Sequence, residues 1–598
     1  VFEKVSRTCS HQTLPIANHF LCHQVFQGLD FQYTEVPGSV GKTSLFLHPS
    51  PTSTHATPEP RMASNSSFTF QQPASAPQAP FAMSKSSSEL SMRTVGVVER
   101  DDAGIQPGYV LMCAGRETYL IDEDGRKVHE WRSTRQVFVA YLLPNGNLLR
   151  DGSDNDDADL FRCGGAAGFL EEVTWDNKPV WSFSQLPLNT YLTHHDLEPM
   201  PNGHVLAMVW HRRSSESVKY FGRRPDLCPD GEVWDNVVIE LKPDGKGGAD
   251  IVWSWSFFHH VVQDVDGGLP NFKPVKEHPD LMDINFCPAG GKNGVRNLST
   301  LQSDGLKRSR DARVTSGASA YEDTPGKTGE KDWLHCNSVS YCPKRNQIMI
   351  NINVLCEIVV IKRDSVSVTQ WQSDPNKPQW PLRRIDTDHR NDRSEQGGRG
   401  FQYSDQPGIQ WRWGNPQTYR CGSRMDQTLF AQHYANFIEE GLPGAGNVLV
   451  FNNGRAPDRV WSTVDEISPP EDKPFSGVYK REPGKAFGPK EACWSYGPKT
   501  GRQGSFFCTH ISSAHRLPNG NTFITMGPQG IISEVTREGK EVWRYISPVC
   551  NDPNAVAVTR QGDTRTGGRY SLFMSRKYAK NFAGFIGKPL SPGRHLEG

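Results

Sequence analysis

The chain has 598 residues, and its 66 Lys plus Arg balance 66 Asp plus Glu, so the formal net charge is zero. That balance argues against a nucleic-acid-binding protein and against a polybasic membrane-surface protein, both of which show a basic excess. No run approaches ~18 apolar residues, so no transmembrane helix is expected, and 55 Gly, 43 Pro and 15 Trp suit a turn-rich all-β chain better than a helical one.

Residues 1–98 are rich in Ser, Thr, Pro and Gln, poor in acids and without periodicity, which predicts a disordered or targeting tail. Within it, Met62 opens a Ser-rich, acid-poor stretch similar in composition to an organelle transit peptide. No continuous apolar segment of a secretory signal is evident, so the compartment stays open between secreted and organellar. Gly41-Lys42-Thr43 resembles the end of a phosphate-binding loop, but the first glycine of that motif would fall on Val36, and nucleotide binding is discarded. The 13 Cys do not settle the compartment either, because the closest pairs, Cys9/Cys22 and Cys336/Cys342, lack metal-knuckle spacing.

From Gly108 onward one phrase recurs: a strand, a Pro-Asn-Gly turn or a relative of it, two further strands, and an aromatic-ended strand. Leu143-Pro144-Asn145-Gly146 leads to Phe169–Val173 and Val180–Phe183; Met200-Pro201-Asn202-Gly203 leads to Val237–Leu241 and Ile251–Trp255. Tyr341-Cys342-Pro343 leads to Ile348–Ile350, Glu357–Ile361 and Gln370-Trp371. Leu442-Pro443-Gly444 leads to Val448–Phe451, Val464–Ile467 and Cys493–Tyr496, and Leu517-Pro518-Asn519-Gly520 to Phe523–Thr525, Ile532–Val535 and Val542–Tyr545. Asn and Gly tolerate the positive φ of a hairpin, and Asp124-Gly125 and Asp244-Gly245 serve the later turns. Four-stranded units at this period predict an all-β chain folded as a six-bladed β-propeller closed by N- and C-terminal strands, occupying residues 99–598 as one domain. Tyr109–Trp131 supplies three strands of the remaining blade, and the stretch near Arg569–Phe573 is expected to supply its fourth. Polar insertions at roughly 285–331 and 372–410 read as loops on one face.

The repeat aligns histidines. Six residues before the turn proline stand Phe138, His195 and Ser512 in three units; in the two units with longer turns the matching residues are His335 and His433. The register is loose by one, so His194 is an alternative to His195, and His510 and His515 flank the match in the last unit. A propeller points all of these at one axis. Imidazole titrates near neutrality and can act as base, acid or nucleophile; a metal site is the competing chemistry, with Asp196 as a carboxylate neighbour. Arg212-Arg213 and Arg223-Arg224 could attract an anion to the channel mouth, and the five aspartates of Asp151–Asp159 read as a solvated loop in preference to a calcium site.

Four segments carry a family resemblance. Leu192–Trp210 (LTHHDLEPMPNGHVLAMVW), Trp333–Tyr341 (WLHCNSVSY), Leu429–Phe451 (LFAQHYANFIEEGLPGAGNVLVF) and Ser512–Thr525 (SSAHRLPNGNTFIT) resemble, in order, motifs of the nucleotide-independent (PAPS-independent) arylsulfotransferases, across about Gly108 to Phe585. The resemblance implies ping-pong transfer of a sulfuryl group from an aryl sulfate to a phenol through a sulfohistidine, with no cofactor and no bound metal. By motif position His433 is the nucleophile, His335 and Asn337 hold the sulfuryl oxygens, and His195 or His194 is the acid/base on the phenolic oxygen. Ser512, His515, His194 and Arg212 are the remaining substrate-binding candidates. The chain departs from the pattern at Ile350–Val354, where the resembling enzymes carry an arginine and this one has none. A propeller that binds a small anion or a protein partner without turnover is the alternative.

Overall fold

The structure, a computed structural model, describes residues 92–153, 161, 163–184, 190–287, 331–363, 408–455, 458–498, 506–551, 558–565 and 569–598. The N-terminal segment before residue 92, most of Asp151–Asp159 and nearly all of both insertions lie outside these.

Six antiparallel sheets are arranged as a propeller, and Val261–Val262 and Met282–Asp283 form a separate two-stranded parallel sheet. The first blade pairs Ser575–Ala579 with Gly108–Ala114, Glu117–Ile121 and Lys127–Arg132. The second is Ala140–Leu142, Leu148–Ser153, Gly168–Val173 and Pro179–Phe183. The third is Tyr191–Pro199, Val205–Arg213, Val233–Pro243 and Ala249–Ser256. The fourth is Cys336–Cys342, Gln347–Ile352, Glu357–Lys362 and Ile409–Trp413. The fifth is His433–Phe437, Val448–Asn452, Thr463–Ile467 and Trp494–Tyr496. The sixth is Ser513–Arg516, Thr522–Met526, Ile531–Val535 and Glu541–Ile546, with Gly96–Arg100 added as a fifth strand on its outer edge.

Three details differ from the expectation. The closing strand is Ser575–Ala579, a few residues after Arg569–Phe573. The fourth blade ends with Ile409–Trp413, beyond the insertion; Trp371 lies outside the described residues. Strand Gly96–Arg100 was not foreseen, and it places the outer edge of the ring just inside the predicted tail.

The turns behave as their chemistry dictates. Gly146, Gly203 and Gly520 adopt φ of +82°, +79° and +92°. Asn145 Oδ1 accepts from the amide of Asn147, as Asn202 and Asn519 do in their own units. Between blades, apolar faces interlock: Leu206 and Met208 of the third pack with Ile348 and Ile350 of the fourth, all buried. The aromatic-ended strands supply the polar seam. Trp131 Nε1 donates to Thr174 O (3.2 Å), Trp413 to Pro489 O (2.7 Å), Trp494 to Arg537 O (2.7 Å) and Trp543 to Glu123 O (2.9 Å). Each tryptophan reaches the next blade, so one side chain contributes both a large buried surface and a satisfied N–H.

Candidate active site on the propeller axis

The inner strands of blades three to five begin with a defect. Their pairing register shifts between Ala207 and Val209, Cys336 and Ser338, and His433 and Asn436. A bulge re-aims the side chain beside it, and here left-handed backbone accompanies it at His195 (φ +58°), His335 (φ +47°) and Tyr434 (φ +50°); Ser512 (φ +87°) stands at the same place in the sixth blade. Non-glycine residues in this region cost about 1–3 kcal/mol each and gather at functional sites.

These bulges bring together the expected histidines. The rings of His195 and His335 lie 4.5 Å apart, nearly perpendicular. His194 Nδ1 is 2.9 Å from His195 Nδ1, and the His194 ring stacks on Trp210 at 4.1 Å. His433 acts electrostatically on His195, and His335 and His510 act on His433. Burial pushes His433 and His194 down to about 3 and His510 to about 4; it also takes His195 well below the usual imidazole range. His194, His195, His433 and His510 are therefore neutral at physiological pH.

His433 is oriented through one nitrogen. Its Nδ1 lies 2.9 Å from Asn453 Oδ1 and 3.1 Å from Ala431 O. Asn453 cannot turn round, because its Nδ2 donates to the carbonyls of Cys508 (3.0 Å) and Ile511 (2.9 Å). Two oxygen acceptors fix the proton on Nδ1 and leave the Nε2 lone pair for chemistry. His335 is oriented likewise: its Nδ1 is 2.5 Å from Asp332 Oδ2, and its amide donates to Asp332 Oδ1 at 3.1 Å. Burial alone would raise Asp332, but the His335 imidazole outweighs it and holds the carboxyl below its usual range.

The other candidates are placed differently. Asn337 donates to Gln432 O (3.2 Å) and accepts from Asn351, so its amide supports the chain leading into His433. Asn351 and Asn353 reach the same Gln432 carbonyl, at 2.9 and 3.0 Å. Ser512 Oγ accepts from the amide of Gly527 and donates to His510 O. His515 Nε2 accepts from the amide of Lys577 at the seam with the first blade, apart from the histidine group. Arg212 is committed to Glu232 (Nε to Oε2 2.6 Å), Arg224 pairs with Asp226, and Arg223 is buried against Trp333. Asp196 turns away from the histidines, accepting from Tyr141 Oη (3.0 Å) and the amide of Val339 (3.1 Å). Asp151 is buried and accepts from the amides of Phe138 and Val139.

Several neighbours carried no repeat signal. Cys163 Sγ lies 3.7 Å from His335 Nδ1, and a Cβ on Gly165 would fall 2.3 Å from His195 Nε2. Phe573 stands 6.0 Å from Phe138 and 6.2 Å from His195, ring to ring, making an aromatic wall. Arg455 Nη2 donates to the carbonyl of Asn353 (3.3 Å), whose amide in turn donates to His335 O. This puts a guanidinium against the strand that lacks an arginine of its own. Only Asp332, three residues before His335 in the same short segment, had a spacing that could have flagged it.

A six-bladed propeller with buried imidazoles gathered from the starts of inner strands in successive blades defines the class. The arylsulfotransferase (ASST) family profile matches residues 179–559, and the chain belongs to that family. No curated protein matches it. Among solved structures it is similar to a protein of unknown function from Bacteroides caccae (8% identity, 79% of this chain and 100% of that chain, TM-score 0.35). It is also similar to a protein from Lactobacillus plantarum (6%, 79% and 99%, TM-score 0.34) and to a streptogramin B lyase (8%, 82% and 94%, TM-score 0.31). Among the described residues no helix is long and apolar enough to cross a membrane.

Proposed function

We propose that the chain transfers a sulfuryl group from an aryl sulfate to a phenolic acceptor through a sulfohistidine at His433. The observation that carries this is the Asn453–His433 pair, which leaves Nε2 as a free, unprotonated nucleophile. In the first half-reaction Nε2 attacks sulfur, the N–S bond forms, the S–O bond breaks and the phenolate leaves. In the second, the acceptor phenol gives its proton to His195, its oxygen bonds to sulfur and the N–S bond breaks. The proton held by His195 then meets the next departing phenolate. Arg455 faces the charge on the sulfuryl oxygens, where a preorganised donor lowers the barrier, and His335 is steadied beside His195 by Asp332. Phe138 and Phe573 offer the aryl ring a stacking surface.

The test is mass spectrometry of the purified protein after incubation with 4-nitrophenyl sulfate. One added sulfuryl group on the peptide containing His433 supports the mechanism. Its absence with every aryl sulfate tried, with bound sulfate ester instead, moves the weight to an anion-binding propeller.

A further inference from the structure

We propose that Cys163, Asp332 and His335 form a binding site for one zinc ion at the edge of the histidine group. Among the described residues these three form a group of metal-ligating side chains whose ligand atoms all lie within 4.8 Å of one another. Cys163 Sγ is 3.7 Å from both Asp332 Oδ2 and His335 Nδ1. A tetrahedral zinc with Zn–S of ~2.3 Å and Zn–N or Zn–O of ~2.0–2.2 Å sets ligand spacings of about 3.6 Å for S···N and S···O and about 3.4 Å for N···O. Two of the three edges are therefore already in place. The third, 2.5 Å between Nδ1 and Oδ2, is a hydrogen bond that opens by about 0.9 Å when the ion replaces the proton.

The ligands come from two separate segments of the chain. Cys163 sits in the loop before the third strand of the second blade, where its amide donates to Phe161 O (2.9 Å). Asp332 and His335 sit in the turn entering the fourth blade, tied by the His335 amide. A second observation points to the same place. The His194 imidazole, stacked on Trp210, is buried as well, and the Asp332 carboxylate acts on it. A thiolate, an imidazole and a carboxylate together select zinc over calcium or magnesium, which take oxygen ligands. On binding, the thiol proton leaves to solvent and the His335 proton moves from Nδ1 to Nε2. The fourth position is left for water, a neighbouring imidazole or an oxygen of the substrate.

Binding is read without turnover, so its failure and failure of the transfer reaction are separate results. The full chain, stripped with a chelator, is titrated with Zn²⁺ and, separately, with Co²⁺. One zinc per chain by native mass spectrometry is expected, together with near-ultraviolet thiolate-to-cobalt absorption. Cys163→Ser should abolish the absorption, Asp332→Asn should weaken zinc binding at least tenfold, and Cys493→Ser, at an exposed thiol elsewhere, should change neither. Absence of the band in the wild type, or its persistence in Cys163→Ser, overturns the proposal. If Cys163→Ser does not fold, the thermal shift produced by zinc decides: equal shifts in the wild type and Asp332→Asn overturn it.

Discussion

Asn453 holds His433 by accepting at Oδ1, 2.9 Å from Nδ1, while both of its own amide hydrogens are spent on carbonyls of the loop entering the sixth blade. The nucleophile's tautomer is thus set by a neighbouring blade. Asn453→Ala removes the acceptor and lets the ring turn or exchange tautomers. Donor turnover should fall roughly 10²-fold or more, by analogy with loss of the orienting group in a catalytic triad. A variant that stays folded and keeps the wild-type rate would show that Asn453 is only structural.

The two proposed roles separate by leaving group. His433→Ala and His433→Asn should both abolish donor cleavage and transfer, since no covalent intermediate can form. His195→Ala should keep residual activity toward donors with acidic phenols, which leave without a proton. Rates measured over a series of aryl sulfates of graded phenol pKa check this; a flat response in His195→Ala equal to the wild type removes His195 from the acid/base role.

Gly165 lies against the face of His195 with φ of +85°. Gly165→Ala adds a methyl where the imidazole already is, on a backbone conformation that costs L-residues about 1–2 kcal/mol. The expected outcome is a lowered melting temperature together with a loss of activity that is largest for phenols needing protonation. Unchanged kinetics in a folded variant would mean His195 moves aside freely.

The pH dependence of stability has two opposing arms. Burial raises Asp196 to about 7 and Glu198 to about 8, so these carboxyls contribute most below ~pH 4 and lose that contribution as pH rises through those values. Burial lowers His433 and His194 to about 3, so their contribution is complete above ~pH 6.5 and is lost as pH falls toward 3. Asp196→Asn should remove the first arm in part. Relative to the variant, the wild type should lose on the order of 4 kcal/mol between about pH 4 and 7. Denaturant unfolding at several pH values reads the slope, and parallel curves for the two proteins would contradict the assignment.

Residues 1–61 are composed so that they bury little apolar surface against chain entropy. Deleting them should leave the thermal midpoint of the ring unchanged, as differential scanning calorimetry would show; a clear drop would mean that they pack on it.

The sequence made the ring legible because its turns and tryptophans repeat, and each repeat has a local physical cause. Where an element broke the binary pattern it was misread. Arg569–Phe573 alternates like a strand, whereas the true closing strand carries Arg576 and Lys577, charges made tolerable by Tyr434 and by Glu534. Blade four's last strand was hidden by the length of an insertion, which no local signal encodes. The histidines were visible through the repeat register. Asp332, Cys163, Gly165 and Asn453 were not, since they sit in turns and loops outside the repeated phrase and owe their place to tertiary packing.

The first blade owns three of its strands near the start of the chain and borrows its innermost, Ser575–Ala579, from the end. During synthesis the blades that carry the histidines emerge in order, but the ring stays an open arc with one unpaired inner edge until Ser575–Ala579 has emerged. A ribosome-bound chain therefore exposes that edge for longer than any other, and edges of this kind recruit foreign strands. Completion of the ring is in this sense a late event: the strand that closes it is made after all the blades that carry the histidines.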